Sequence, residues 1–268
     1  MPTTDHPSPK VCWIFSLARC GSSIAAYAAA APWGIPVADE PFGPWDRTGP
    51  PYHYPPEQKT LKELYWAVGE HLTPAVVHLA DVVFRKIAAG MPTVISKHPH
   101  DMIRPAEFAR EFPHHKSVFL LRNPLLRLNS LYARQWIKAI GPNHDLDRYK
   151  LVARRSLHAS HRLMYEDLRR NPAAFFRTLW EAWEWPYTQA DLEAALTYQK
   201  NNYHASSRAL GERSTDKVLS EERWAVPDQA LTEYLADDFI SGFMRDHGWS
   251  TDPDYYRQMQ FRTPPQPA

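Results

Sequence analysis

The sequence predicts an α/β fold with a mainly parallel central sheet flanked by helices. Two continuous apolar runs rich in β-forming residues, at 11–17 and 116–122, are typical of strands buried on both faces of a sheet. Each run is followed closely by a helical pattern, alanine-rich over 22–31 and amphipathic over 124–139. Because alternating strands and helices fold into a parallel sheet with covering helices, we expect this alternation to continue along the chain.

Further elements follow in the same alternation. We predict helices at 57–70, 74–89, 104–111, 172–184 and 228–246, and strands at 93–97 and 161–165. The segment 41–56 is rich in proline and aromatic residues, which predicts irregular structure, and 200–226 is predicted to be a long loop. We therefore expect one domain over 11–250, with a flexible arm over 1–10 before it and a tail over 251–268 after it.

Composition and charge exclude several classes of protein. Of the 268 residues, 44% are hydrophobic and 23% are charged, which excludes a wholly disordered chain. The 31 basic and 30 acidic residues give a net charge of +1, so nucleic acid and anionic membranes are not expected partners and any anion site must be local. The two cysteines, Cys12 and Cys20, exclude a disulfide scaffold and a cysteine-rich zinc site. With no signal-peptide pattern and no run of about 18 apolar residues, we expect a soluble cytoplasmic protein with free thiols.

The segment after the first strand, Ala18-Arg-Cys-Gly-Ser-Ser23, favours an anion site, because amides and the dipole at a helix N-terminus attract negative charge. Gly21 allows close approach of the backbone, Ser22 and Ser23 add hydroxyl donors, and Arg19 adds a positive charge. An ordinary strand-to-helix turn with a serine cap is the alternative. The segment lacks the GxxxxGK[ST] and GxGxxG loops of nucleotide-binding proteins, so it predicts a phosphate- or sulfate-bearing ligand without ATP hydrolysis.

A second candidate anion site follows the strand at 116–122. Arg122 ends this strand, Asn123-Pro124 begins a helix, and Ser130 lies on that helix eight residues after Arg122. An arginine at a strand's carboxyl end and a serine on the adjoining helix can hold a second phosphate, since ligands bind at these strand ends. The alternative is an arginine that pairs with a carboxylate and a serine on the helix surface.

Taken together, the two segments resemble sulfotransferases that use 3′-phosphoadenosine-5′-phosphosulfate (PAPS). The first resembles the family's PRSGTT loop, which holds the 5′-phosphosulfate, although Ala18 replaces proline, Cys20 replaces serine, and serines replace both threonines. Arg122-Asn-Pro with Ser130 resembles the R-D/N-P…S element that holds the 3′-phosphate. This resemblance implies a P-loop nucleotide-hydrolase-like sulfotransferase fold, PAPS as donor, 3′,5′-adenosine bisphosphate (PAP) as product, and no metal.

Four more segments are similar to those of the tyrosylprotein-sulfotransferase-like branch, so that the resemblance covers roughly 11–248. They are Asp39-Glu40-Pro-Phe42, Ser96-Lys97-His-Pro99, Tyr165-Glu166-Asp167-Leu168 with Asn171-Pro172, and Glu212-Arg-Ser-Thr-Asp216. Because the chain lacks the transmembrane helix of the membrane-anchored members, we expect a soluble, bacterial-type member.

The resemblance also implies roles for individual residues. The donor-binding residues it implies are Arg19, Cys20, Gly21, Ser22, Ser23, Arg122, Ser130, Arg213 and Ser214. Arg19 and Lys97 are expected to stabilise the leaving group and the transferring sulfuryl, and Ser214 to add a hydrogen bond. Glu40 is the first candidate for the base that takes the acceptor proton, with His98 or His100 as the alternative.

The acceptor is the least determined part of the prediction. We expect a hydroxyl, or alternatively an amine, on a small molecule or peptide. The irregular segment after Glu40 carries aromatic residues that would suit an aromatic or apolar acceptor and is a lid candidate: Phe42, Trp45, Tyr52 and Tyr54. A packed surface loop is the alternative for this segment. Two other functions are considered, a noncatalytic PAP- or PAPS-binding protein and a P-loop kinase, which would depend on Mg²⁺.

Overall fold

The computed structural model describes residues 8–43, 54–98, 104–202, 205–206, 209–213 and 224–258, with 205–206 and 209–213 described by their backbone alone. The chain divides into two compact units. The first consists of Met1–Leu121 and Arg155–Tyr203, and the second of Arg122–Arg154 and His204–Ala268. Most of the predicted N-terminal arm and of the lid candidate lies outside the described residues.

The first unit contains the central sheet. Its strands are β1 (Lys10–Ser16), β2 (Val37–Asp39), β3 (Thr93–His98), β4 (Lys116–Leu121) and β5 (Arg162–Met164). Among the described residues they form one parallel sheet in the order β2-β3-β1-β4-β5. The predicted α/β class is therefore confirmed. The strand β2 was not predicted from the sequence, because three residues are too few to show a strand pattern.

Helices follow most of the strands, as predicted. In chain order they are α1 (Ser22–Ala30), α2 (Glu57–Ala67), α3 (Pro74–Ala88), α4 (Pro105–Glu111), α5 (Pro124–Ala133), α6 (Ile137–Ile140), α7 (Pro142–Ser156), α8 (Tyr165–Arg170), α9 (Pro172–Ala182), α10 (Gln189–Asn202), α11 (Asp228–Ala236), α12 (Asp238–Asp246) and α13 (Pro253–Arg257). The predicted helix at 228–246 is two helices, because Asp237 is extended and its side chain accepts a hydrogen bond from the amide of Ile240.

Two long helices, α7 and α10, have no counterpart among the predicted elements. In α7 the buried positions recur at helical spacing, but the first of them is Asp145, which is fully buried. A buried carboxylate interrupts the apolar stripe by which sequence reasoning recognises a helix. The predicted loop at 200–226 also contains a short antiparallel pair of strands, β6 (Ala205–Ser206) and β7 (Ala209–Arg213).

Helices cover both faces of the sheet in the first unit. On one face, Cys12 and Ile14 of β1 pack with the alanines of α1 and with apolar residues of α9 and α10. On the other face, Trp13 contacts the rings of Phe84 and Phe108 edge-on at 5.2 and 5.1 Å between centroids. Trp13 Nε1 also donates to His115 Nδ1 at 3.3 Å, and burial lowers the pKa of His115 to about 4. The β1 strand is thus the centre of two packed layers.

Candidate functional site

The predicted site residues of the first unit cluster at one edge of its sheet. Because β1, β2 and β3 are parallel, their carboxyl ends meet at the same edge, where α/β proteins bind ligands. The predicted anion-binding segment 18–23, called the anion loop below, follows β1. Glu40 follows β2 directly, and Lys97 lies near the end of β3. The register pairs Asp39 with Lys97 across the two strands.

The loop after β1 contains two residues with left-handed backbone. Arg19 has a φ of 72° and Gly21 a φ of 85°, and the amide of Cys20 donates to the carbonyl of Leu17 at 3.3 Å. A left-handed conformation costs a residue with a Cβ about 1–2 kcal/mol. Backbone strain of this kind is concentrated at binding and active sites, which makes Arg19 a site candidate on its geometry as well as its charge.

Gly21 cannot be replaced without moving a neighbour. A Cβ built on Gly21 would lie 2.3 Å from Cδ2 of Tyr165, the first residue of α8. Tyr165 belongs to one of the segments that resemble the tyrosylprotein branch, and the structure shows that its ring packs against the anion loop. The Tyr165 ring therefore bounds the loop at Gly21, and the loop leads directly into the N-terminus of α1.

The start of α1 is suited to an anion. Its first turn contains no acidic residue, so no carboxylate of that turn offsets the positive end of the helix dipole. Ser22 is buried, Ser23 and Arg19 are partly exposed, and Cys20 is only 1% exposed. Of these side chains, Arg19 and Ser23 are therefore the more exposed to solvent.

A buried ion cluster lies at the ends of β2 and β3. Lys97 Nζ is 2.7 Å from Asp39 Oδ1 and 2.9 Å from Glu40 Oε1. The exposed fractions of these side chains are 2% for Lys97, 0% for Asp39 and 8% for Glu40. The amide of Glu40 also donates to the carbonyl of Lys97 at 2.9 Å. One ammonium thus holds two carboxylates, of which Glu40 is the more accessible.

Glu40 sits in a turn that neighbouring side chains hold in place. Its φ is 63°, and its carbonyl accepts a hydrogen bond from the amide of Gly43 at 2.9 Å. Within the turn, the carbonyl of Pro41 accepts from Gln58 Nε2 at 2.9 Å, and the carbonyl of Phe42 accepts from Trp66 Nε1 at 3.0 Å. These contacts from α2 fix the turn, which keeps the Glu40 carboxylate at the sheet edge.

Asp39 is anchored by two tyrosines. Tyr27 of α1 donates to Asp39 Oδ2 at 3.4 Å, and the hydroxyl of Tyr54 donates to the carbonyl of Asp39. Tyr54 belongs to the lid candidate, and Phe42 from the same segment is fully buried, while Trp45 and Tyr52 lie outside the described residues. Tyr54 therefore contacts the ion cluster through Asp39, whereas Phe42 packs against the rings of Tyr65 and His98.

His98, the alternative base, has a different environment. Successive residues of a strand point to opposite faces, so the His98 side chain leaves β3 on the face opposite to Lys97. There it is 1% exposed, with its ring centroid 5.5 Å from that of Phe42. His98 is thus placed in the aromatic layer around Trp13, and His100 lies outside the described residues.

The second unit contains Arg122 and Ser130. Both are buried, with exposed fractions of 6% and 1%. Asn123 caps α5 by accepting hydrogen bonds from the amides of Leu125 and Leu126 at 3.0 and 3.1 Å, which confirms the predicted helix start. Of the other residues predicted for donor binding in this unit, Arg213 lies in β7 without a described side chain, and Ser214 lies outside the described residues.

The support beneath Arg122 was not predicted from the sequence. Tyr149 of α7 donates to the carbonyl of Arg122 at 2.5 Å, and its ring lies 5.9 Å from the Arg127 guanidinium. Arg127 forms a bidentate pair with Asp145 at 2.7 and 2.9 Å, and Tyr234 donates to Asp145 at 2.8 Å. Burial alone would raise the pKa of Asp145, but the charge and hydrogen bonds of Arg127 lower it below its ordinary value.

Comparison with known proteins identifies the fold. No family model and no curated protein matches this sequence. Among solved structures, sulfotransferase STF9 from Mycobacterium avium aligns over 92% of this chain and 79% of its own, with a TM-score of 0.54 at 13% identity. The sulfotransferase domain from the curacin biosynthetic pathway aligns over 90% of this chain and 98% of its own, with a TM-score of 0.50 at 14% identity. The chain has the sulfotransferase fold. Mouse sulfotransferase SULT7A1 complexed with PAP aligns over 95% of this chain and 89% of its own, with a TM-score of 0.47 at 10% identity.

Within this sulfotransferase fold, Asp39 is the site residue that sequence reasoning missed. It stands beside Glu40 in the motif, but only the register between β2 and β3 reveals that it pairs with Lys97. Among the described residues, no group of three or more acidic, histidine or cysteine side chains is arranged to hold a metal ion. No described helix is long and apolar enough to cross a membrane.

Proposed function

We propose that this protein is a sulfotransferase that moves the sulfuryl group of PAPS to a hydroxyl or amine of an acceptor by in-line transfer. The observation that carries the proposal is the buried contact of 2.9 Å between Lys97 and Glu40 at the sheet edge. A cation and a candidate base are thus held together at the edge where the anion loop leaves β1. In-line transfer needs a positive charge for the leaving group and a base for the acceptor proton, and Lys97 and Glu40 are our candidates for these roles.

The anion loop is suited to the 5′ end of the donor. Arg19 and the amides of α1 supply positive potential, and Gly21 adopts the left-handed backbone that turns the loop into α1. The donor supplies a sulfuryl group bonded to a phosphate oxygen, and negative charge grows on that oxygen as the bond breaks. We assign Arg19 and Lys97 to stabilise this charge, so that protein cations do the work of a metal.

Glu40 is the proposed base. A phenol has a pKa of about 10 and an aliphatic alcohol a higher one, so a positioned carboxylate assists the reaction. The acceptor proton passes to the Glu40 carboxylate as the acceptor oxygen bonds to sulfur, and the bridging oxygen leaves with its electron pair on PAP. Lys97 orients the carboxylate, and Asp39 holds Lys97 from the side away from solvent.

The acceptor proposal rests on the residues around Glu40. Tyr54 and Trp66 both contact the segment that carries Glu40, and Trp66 is 36% exposed. Aromatic side chains suit a flat or apolar acceptor. We therefore propose a small molecule or peptide, with a phenol favoured. We also propose that the enzyme belongs with the bacterial, tyrosylprotein-like sulfotransferases and works in the cytoplasm without a metal.

Arg122 tests the identity of the donor, because the proposal assigns it with Ser130 to the 3′-phosphate. For Arg122→Ala we expect binding of PAP to weaken by about 1.5–3 kcal/mol, roughly 10- to 150-fold, since a charge-assisted hydrogen bond is lost. Binding of adenosine 5′-monophosphate, which has no 3′-phosphate, should hardly change. Isothermal titration calorimetry of both ligands measures the difference.

Arg154 provides the matched control for charge. It lies in α7 of the same unit, is exposed, and stacks on the ring of Phe239 at 4.7 Å. Arg154→Ala removes the same charge and should leave both affinities near those of the unmodified protein. Equal losses for PAP and adenosine 5′-monophosphate in Arg122→Ala would contradict the assignment of Arg122 to the 3′-phosphate.

A further inference from the structure

Ser16, the last residue of β1, carries a buried hydroxyl whose environment the fold does not explain. Its side chain is 0% exposed, and its Oγ has no hydrogen-bond partner among the described residues. A buried hydroxyl without a partner costs about 1–3 kcal/mol, and such groups are rare in folded proteins. The unpartnered hydroxyl makes Ser16 a candidate for a contact with a ligand.

The sheet register places Ser16 on the same face as Lys97. Ile14 pairs with Lys97 on β3, and Ser16 pairs with Leu120 on β4, so these four side chains share one face. Ile14 and Leu120 pack in the core that includes the alanines of α1. Ser16 is therefore two residues nearer than Ile14 to the carboxyl end of β1, just before the turn that leads into α1.

The anion loop begins immediately after this position. Leu17 and Ala18 follow Ser16, and the left-handed residues Arg19 and Gly21 then turn the chain into α1. Ser16 thus ends the strand just before the loop, and its side chain leaves the sheet on the face that α1 covers. A hydroxyl donor at that place complements a ligand that approaches the loop with negatively charged oxygen atoms.

We propose that Ser16 is a further donor-binding residue, which gives a hydrogen bond to the anionic 5′ end of PAPS and PAP from the floor of the loop. The inference rests on the proposed function and adds a residue that the sequence resemblance did not include. Its role is binding and alignment, because a hydroxyl hydrogen bond to a charged oxygen fixes the direction in which the 5′ group points.

Ser96 provides a matched control. It is also 0% exposed and its Oγ also has no hydrogen-bond partner among the described residues. However, it pairs with Trp13 and so lies on the opposite face of the sheet, away from α1. The substitutions Ser16→Ala and Ser96→Ala remove the same group from equally buried positions of one sheet.

Calorimetric titration with two nucleotides tests the inference. PAP carries both phosphates, whereas adenosine 3′-monophosphate lacks the 5′-phosphate. For Ser16→Ala we expect PAP to bind about tenfold more weakly or worse, and adenosine 3′-monophosphate to bind as it does to the unmodified protein. Ser96→Ala should leave both affinities unchanged. Neither variant should unfold at a lower temperature, because each loses a buried hydroxyl without a hydrogen-bond partner in the described part of the chain.

Ser16→Cys separates hydrogen bonding from packing, since it keeps the shape of the side chain and has only a weak donor. It should bind PAP more weakly than the unmodified protein does. Unchanged PAP affinity in Ser16→Ala, equal losses for both nucleotides, or full affinity in Ser16→Cys would each overturn the inference. If the unmodified protein does not bind PAP at all, the proposed function itself fails, which is a distinguishable result.

Discussion

Lys97 is the residue on which the chemistry of the proposed site depends. Its ammonium contacts two carboxylates, so the cluster contains two negative charges and one positive charge. Buried charges persist only when they are paired, and removing one partner leaves an uncompensated charge. Asp39 is completely buried and Glu40 is not, which suggests different roles. In the proposed mechanism, Asp39 fixes the ammonium and Glu40 takes the proton of the acceptor.

Glu40→Gln tests the role of the base. We expect retained PAP binding and turnover reduced by about 100-fold or more, because an amide does not accept the acceptor proton. Turnover is measured as PAP formed from PAPS with the fastest acceptor found in a panel of phenols, alcohols and tyrosine-containing peptides.

Glu70→Gln is the control for this substitution. Glu70 is also 8% exposed and also has a left-handed backbone, with a φ of 62° against 63° for Glu40. Its variant should turn over at a near-normal rate. Near-normal turnover of Glu40→Gln would remove Glu40 as the base and favour His100, because His98 lies on the face opposite to Lys97.

At the scale of elements, the turn from β1 into α1 shows how local geometry limits which residue can occupy a position. Two conditions act on Gly21 together, the left-handed φ of 85° and the ring of Tyr165 at 2.3 Å from a built Cβ. Gly34 ends the short helical turn that follows α1. It meets only the first condition, because its φ is 62° and no atom lies within 4 Å of a Cβ placed there. Comparison of the two glycines separates backbone strain from close approach.

Gly21→Ala should lower the free energy of unfolding by about 2–5 kcal/mol, the sum of left-handed strain and overpacking against Tyr165. Gly34→Ala should lower the free energy of unfolding by about 1–2 kcal/mol, because only the left-handed backbone strain acts at that position. Urea unfolding followed by tryptophan fluorescence measures both values. Gly21→Ala should also weaken PAP binding, and Gly34→Ala should not. Equal losses of unfolding free energy for the two substitutions would show that the Tyr165 ring does not restrict the side chain at position 21.

Elements with a clear apolar pattern could be predicted from the sequence, and others could not. The strands β1 and β4 are continuous apolar runs, and both were predicted to within one residue of their ends. The helix α7 was missed because its buried stripe begins with Asp145, and the break at Asp237 was missed because a capping aspartate also occurs within helices. In both places the polar residue also has a partner that is distant in sequence. Asp145 pairs with Arg127, and Asp237 pairs with Lys150 at 2.6 Å.

At the scale of the whole molecule, the sequence predicted the α/β class and the sulfotransferase fold, since both rest on local patterns and ordered motifs. It identified Lys97 and Glu40 but not their contact, and it did not single out Asp39 or Ser16. Those relationships depend on which strands are neighbours and on their register, which separate segments of sequence do not determine. The segments at 18–23, 39–42 and 96–98 meet at one edge of the sheet in the first unit, but the sequence alone did not predict the contacts between them.

Isothermal titration calorimetry on the unmodified protein tests the proposed donor most directly. PAP is titrated without Mg²⁺, and ATP is titrated with Mg²⁺ beside it. We expect PAP to bind tightly and ATP to bind at least about tenfold more weakly, because ATP lacks the 3′-phosphate that Arg122 and Ser130 are proposed to hold. Absence of PAP binding by folded protein, or tighter binding of ATP with Mg²⁺, would contradict the sulfotransferase assignment and favour a kinase.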